Sequence, residues 1–147
     1  MTALHVTVAA VIEDRGRFLI VEEQTDEGIR INQPAGHLEP GETILAGAIR
    51  ETLEETAQPF TASALLGVYR WAHPASDVAY LRFAFCGEVG PREPGRLLDH
   101  GILRTLWLSL EEIRARASAH RSPLVLRCVE DYLAGRRFPL DMLVHYA

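Results

Sequence analysis

Apolar and polar positions along the chain fall into blocks that predict strands first and helices later. His5 to Ile12 is apolar and rich in β-branched residues, as in a strand buried on both faces. Asp14-Arg15-Gly16 supplies a turn, and Arg17 to Glu23 returns with the apolar run Phe18 to Val21, so the pair predicts a hairpin. Residues 24–31 are polar and contain Gly28, which predicts an exposed loop. Asn32-Gln33-Pro34 then leads into residues 34–58, where helical spacing takes over. Thr43 is an N-cap type, and Leu45, Ala46, Ala48, Ile49 and Leu53 supply helix formers and an apolar side until Pro59 stops the helix. Leu65 to Trp71 and Val78 to Val89 read as two long strands that turn at residues 73–77. Pro91, Pro94, Gly95 and Gly101 make 90–101 a loop, and Ile102 to Leu108 a further strand. Ser109 with Glu112 predicts a capping box on a short helix. Ser122-Pro123 starts a last helix (N-cap, then proline at N1) that ends near Gly135.

This order is too irregular for a parallel βαβ array. It suits an α/β fold, a mixed sheet with helices packed on both sides, in one domain over 1–147. Hydrophobic content of 48% and charged content of 24% leave that picture unchanged, being ordinary for a globular chain. The net charge of −5 argues against a surface that coats nucleic acid, and no polymer partner is expected. A small phosphorylated metabolite or nucleotide remains open as substrate, because a bound cation reverses the local field. Cys86 and Cys128 fall in apolar segments at no ligand spacing, as reduced structural thiols of a cytoplasmic protein would. No segment reaches membrane-spanning length, and the first residues lack the basic region of a signal peptide, so no membrane partner is expected.

The candidate chemistry lies on the helix after Thr43. Glu51, Glu54 and Glu55 sit at i, i+3 and i+4, so three carboxylates share one face within a turn. Like charges that close repel, and a hard divalent cation among their oxygens removes the cost. With no His or Cys cluster beside them, Mg²⁺ (or Mn²⁺) is favoured over Zn²⁺. An acidic cluster by itself is most often a solvated face; here it comes with a loop. Gly36 and Gly41 permit a tight fold-back, and Glu42 suits the positive end of the helix dipole. Arg50, eight residues after Glu42 and four before Glu54, is placed to tie loop to helix and orient the carboxylates.

The run from Gly36 through Glu42 and Arg50-Glu51 to Glu54-Glu55 resembles the Nudix box of the Nudix hydrolase family at the spacing of every anchor. Thr52, Ala57 and Gln58 depart from it at softer positions. HVTVAAVIE, NQPAGHLE, LRFAF, RSPLV and RRFPLDML extend the likeness to the bacterial NudJ-type phosphatase subgroup. The resemblance implies a Nudix-type α/β/α sandwich and a phosphatase that releases orthophosphate. Its substrates would be nucleoside di- and triphosphates or thiamine-pathway pyrophosphates, such as hydroxymethylpyrimidine pyrophosphate and thiamine pyrophosphate. It implies metal-binding roles for Glu51, Glu54, Glu55 and the Ala35 carbonyl, and structural roles for Gly36, Glu42 and Arg50. The catalytic set is then Glu51, Glu54 and Arg50, with a box glutamate or Asp99 of the late loop as base. Two other readings stand beside it: a pyrophosphohydrolase that cuts an internal bond of nucleoside diphosphate derivatives, and a non-catalytic binding module.

Substrate contacts come from the strands and the box loop. Tyr69, Arg70 and Trp71 close one strand, and Tyr80, Arg82 and Phe83 lie on the next. Their aromatics, Trp71 among them, are candidates to stack on a ring, Arg70 and Arg82 to hold a phosphate, and His37 is a candidate phosphate contact.

Overall fold

The computed structural model describes residues 2–147. Seven strands form the sheet: β1 (Ala3–Asp14), β2 (Arg17–Thr25), β3 (Gly28–Asn32), β4 (Ala35–His37), β5 (Phe60–Ala72), β6 (Val78–Val89) and β7 (Ile102–Ser109). Three α-helices accompany them: α1 (Ile44–Thr56), α2 (Leu110–Ala115) and α3 (Leu124–Leu133). The spatial order is β3-β2-β1-β6-β5, with β4 added on β1 and β7 on β2. The sheet is mixed: β1 runs parallel to β6 from Ala3 to Ile12, and every other pairing is antiparallel.

β1 is apolar and buried from Val8 to Ile12 because that stretch has helices over both faces. Val8, Ala10 and Ile12 point into one core cluster with Ala48 of α1, while Ala9 and Val11 point into another with Ile113 of α2 and Val125, Cys128 and Val129 of α3. Both cysteines are free and buried. Among the described residues no helix is long and apolar enough to cross a membrane.

The first hairpin is shorter than its sequence predicts. β1 and β2 pair only at Glu13–Phe18 and Asp14–Arg17, around the positive-φ residues Arg15 and Gly16. β2 then leaves β1 and joins β3 and β7, so the sheet splays into two wings with a cleft between them. The predicted exposed loop over 24–31 is corrected as well. β2 continues to Thr25, and Gly28 (φ 102°) opens β3, whose register runs Thr25–Gly28 to Val21–Asn32. An edge strand that buries little besides Ile31 carries the polar sequence of a loop, which hid it. The short strand β4 was also unforeseen, lying inside the turn-prone start of the box.

The starts of α1 and α2 are as read from the sequence, whereas α3 starts one residue later than expected, with Pro123 and not Ser122 at the N-cap. Thr43 caps α1 by accepting from the Ala46 amide, and Ser109 and Glu112 form the reciprocal capping box of α2. At α3, Ser122 Oγ accepts from the Leu124 amide at 3.1 Å, and Gly135 closes the end at φ 84°.

Candidate active site

Strand alternation on β4 builds the site. The Pro34 carbonyl and the Leu38 amide bond to β1, which turns the polar groups of Ala35 and His37 to the free edge facing α1. The Ala35 amide donates to Glu55 Oε1 at 2.9 Å, and the His37 carbonyl accepts from Arg50 Nη2 at 3.0 Å. The same alternation turns the Ala35 carbonyl to that edge. Between them Gly36 lies against the Glu51 side chain so closely that any Cβ there would overlap its carboxylate. Gly36 is thus required for space, whereas Gly41 (φ 87°) is required for backbone conformation.

Arg50 is the hub. Its Nε and Nη2 grip Glu42 at 2.9 and 2.7 Å, and its Nη1 reaches Glu51 and Glu54, each at 2.9 Å. One planar fork therefore joins the loop, the β4 edge and two carboxylates, which a lysine point charge could not do. The Arg50 hydrogen bonds hold Glu42 below the usual carboxylate range. Burial pushes Glu51 above that range despite Arg50. Glu55 is only 6% exposed, and burial pushes its carboxyl up to about 9 against the pull of the Ala35 amide, with the charges of Glu51, Glu23 and Asp99 adding to the rise. Asp99 arrives on the 90–101 loop, its amide donating to the Glu54 carbonyl at 2.8 Å. Among the described residues no three His, Cys, Asp or Glu side chains stand together as a ready-made ligand cage. Glu51 and Glu54 meet on Arg50 instead.

The cleft between the wings has a volume of about 770 Å³ and reaches Ala35, Gly36, Glu51 and Glu55 at its inner end. The sequence of this inner end, fold and all, has clear counterparts. The profile of the NUDIX domain matches residues 1–128. The chain belongs to the Nudix hydrolase family. It is 40% identical over 139 residues to phosphatase NudJ of Escherichia coli (strain K12) and of Shigella boydii serotype 4 (strain Sb227), covering 95% of this chain and 90% of each relative. A NUDIX hydrolase from Nitrosomonas europaea superposes at a TM-score of 0.94 with 51% identity, over 97% of both chains. A MutT NUDIX hydrolase from Burkholderia pseudomallei shares the fold at a TM-score of 0.74 and 18% identity, over 87% of this chain and 97% of that one. Nudix hydrolases generally use divalent metals.

The other residues singled out in the Nudix sequence are distributed unevenly. His37 and Trp71 line the cleft. Arg82 lines its floor, 5% exposed, with its guanidinium on Gln33 Oε1 at 2.9 Å and Asn32 Oδ1 at 3.0 Å. Arg70 is not brought to the cleft: it lies exposed on β5 between Tyr69 and Trp71, whose side chains take the opposite face. Glu54 is not among the residues that line the cleft and meets Glu51 through Arg50.

Sequence reasoning missed Arg121, which lines the cleft with Ser122 and Leu124 at the start of α3. Its amide donates to the Ile31 carbonyl and its Nη1 pairs with Glu23 at 3.0 Å, leaving the side chain 48% exposed. The available signal was its place directly before the Ser-Pro helix start. Tyr80, which the sequence places on an aromatic strand face, lines the cleft as well, and so does His73, which no local motif marked.

Proposed function

We propose that the chain is a cytoplasmic, Mg²⁺-dependent phosphatase of one Nudix domain that releases orthophosphate from small pyrophosphorylated metabolites. Nucleoside di- and triphosphates and thiamine-pathway pyrophosphates are the substrate classes. The observation that carries this reading is the packing of the carboxylate turn of α1 against the bare edge of β4 at the inner end of the cleft. The donors there are oxygens only, the missing Cβ at Gly36 lets the Glu51 carboxylate lie against the β4 backbone, and Glu55 is buried without a counter-charge. Such a set fits a hard divalent ion. Glu51, Glu54, Glu55 and the Ala35 carbonyl would hold it, with Mn²⁺ as the alternative ion. When bound, the ion neutralises phosphoryl charge and acidifies water for in-line attack on phosphorus.

The chain's own residues do the rest. Arg50 keeps Glu51 and Glu54 aimed and close, so that either carboxylate can take the proton of the attacking water. Arg121 is the half-exposed arginine of the cleft, and it meets the terminal phosphate by leaving Glu23. The buried Arg82 fork holds the floor. The likeness to NudJ phosphatases supports terminal-phosphate release over an internal cut, and the intact set of Arg50 and three glutamates speaks against a non-catalytic module.

The test incubates the protein with a metabolite panel and Mg²⁺ and measures inorganic phosphate with and without added pyrophosphatase. Phosphate without the auxiliary enzyme is expected. Signal only with it would mean pyrophosphate release, and a nucleoside monophosphate plus a phosphorylated fragment would mean an internal cut; either result overturns the phosphatase reading.

A further inference from the structure

The face of the sheet that packs under α2 and α3 does not end where those helices end. On β1, β6 and β5 it runs from Val11, Cys86 and Ala64 in the core to Thr7, Arg82 and Tyr69, where Arg82 touches Cys128 and Tyr69 donates to Asp131 of α3. Two residues further along each strand the same face carries His5, Tyr80 and Trp71, in register across the three strands. Tyr80 and Trp71 stack at 5.8 Å with 17° between planes, and His5 meets the edge of Tyr80 at 5.6 Å. The row continues at both ends. His37 of β4 lies 5.0 Å from His5, and His73 lies 5.1 Å from Trp71.

Rings on strands are ordinarily core, but these are not covered: Tyr80 and Trp71 are half-buried, and with His37 and His73 they line the cleft. Among the described residues α2 and α3 pack on this face only as far as Thr7, Arg82 and Tyr69. The row begins one residue from Gly36, against which Glu51 rests, and crosses roughly 15 Å of sheet by the usual spacing between strands.

We infer that this row of rings is a stacking wall that seats a flat heteroaromatic group of the substrate while its phosphates lie toward Glu51. The inference deepens the proposed function by naming the moiety selected, and takes from it only that the cleft is the substrate site. Stacking is tolerant of ring identity, since every base has a π-face, so the wall selects aromatic over aliphatic pyrophosphates rather than one base over another.

The chain has two tryptophans, and the second, Trp107, packs against the opposite core cluster and serves as an internal control. Emission is titrated in chelator, without divalent ions, with adenosine and uridine monophosphates and with ribose 5-phosphate as the ring-free match. Saturable quenching by both nucleotides, none by ribose 5-phosphate, and none in Trp71→Leu is expected. Equal response to ribose 5-phosphate, no saturable response, or a response that survives in Trp71→Leu would overturn the wall. A kinetic arm compares kcat/KM for a nucleoside diphosphate and methyl diphosphate with Mg²⁺. In Trp71→Leu and Tyr80→Leu the preference for the nucleoside substrate is expected to fall about tenfold, in line with the usual loss of one stacked base. An unchanged preference in both variants overturns the proposal. Nucleotide quenching in a protein that turns over neither substrate would sink the phosphatase reading and leave the wall standing.

Discussion

The two ends of the cleft are built in opposite ways. The inner end is assembled from Ala35 to Glu55, barely twenty residues of continuous chain, and its polar groups are tied to one another through Arg50 and the β4 edge. The outer end draws Glu27, Trp71, His73, Tyr80 and Arg121 from four separate stretches, and its lips meet in a 3.4 Å contact between His73 and Glu27. A site for bond breaking needs fixed geometry, which short loops and helix spacing supply cheaply in entropy. A site for selection has to offer surface, and a sheet face offers it without fixing every group. Changes at the inner end should therefore act on turnover, and changes at the outer end on substrate preference and KM.

The largest effect belongs to Glu55→Gln. Even residues that merely support a metal ligand cost about 10–100-fold when removed, so loss of the buried carboxylate should remove most Mg²⁺-dependent turnover, by more than about 100-fold. The same change should stabilise the metal-free protein at alkaline pH. Glu55 is protonated in the fold up to about 9 but ionises near 4.5 when unfolded, so the unfolded state binds fewer protons across that window. Stability of the metal-free wild type then falls as pH rises, by up to about 1.4 kcal/mol per pH unit. Urea unfolding in chelator at several pH values should show that slope in the wild type and lose it in Glu55→Gln. A variant that keeps wild-type turnover would move the chemistry away from α1 altogether.

Arg50→Lys tests whether the inner end works as one unit. Charge is retained, but a single ammonium cannot hold Glu42, the His37 carbonyl, Glu51 and Glu54 together. A drop of about 10–100-fold in kcat is expected, with a weaker Mg²⁺ dependence. Near-normal kcat would show that the carboxylates hold themselves in place.

The same contrast explains what was legible in the sequence. The inner end is periodic and local: Glu51, Glu54 and Glu55 on one helical face, Arg50 at reach of Glu42, and Thr43 at the cap could all be placed by counting. The mixed sheet and its doubly buried β1 were equally plain, because an unbroken apolar run admits little else. Strand β3 was hidden, since an edge strand in water needs few apolar residues. Arg121 gains its position from the bond of its amide to the Ile31 carbonyl of a distant strand, which no local spacing encodes. For Arg82 the residue type was visible but not its Gln33 and Asn32 partners, which come from a distant stretch of the chain.

Arg121→Gln probes the boundary between the ends. Loss of a charge-assisted bond to phosphate is worth about 1.5–3 kcal/mol, so KM should rise about tenfold or more while kcat changes less. If kcat fell and KM held, Arg121 would belong to the inner machinery instead.

The smallest effect is expected at Ala57→Gly, where the chain departs from the box glycine. Ala57 is fully buried and left-handed at φ 59°, a conformation that costs a residue with a Cβ roughly 1–2 kcal/mol. Glycine would relieve that, but it would also forfeit a buried methyl worth about 0.8 kcal/mol and add about 0.4–1 kcal/mol of unfolded-chain entropy. These opposing contributions nearly cancel, so the melting temperature should move by less than about 3 °C. Kinetics should hold too, because the backbone already does what the position requires: the Ala57 carbonyl accepts from the Glu93 amide at 2.7 Å, and the Glu54 carbonyl from Asp99 at 2.8 Å. Those two bonds fasten the 90–101 loop to the end of α1. A large drop in stability in Ala57→Gly would mean that the methyl, and not the helix turn, fastens that loop, and the inner end would then depend on packing well beyond the box.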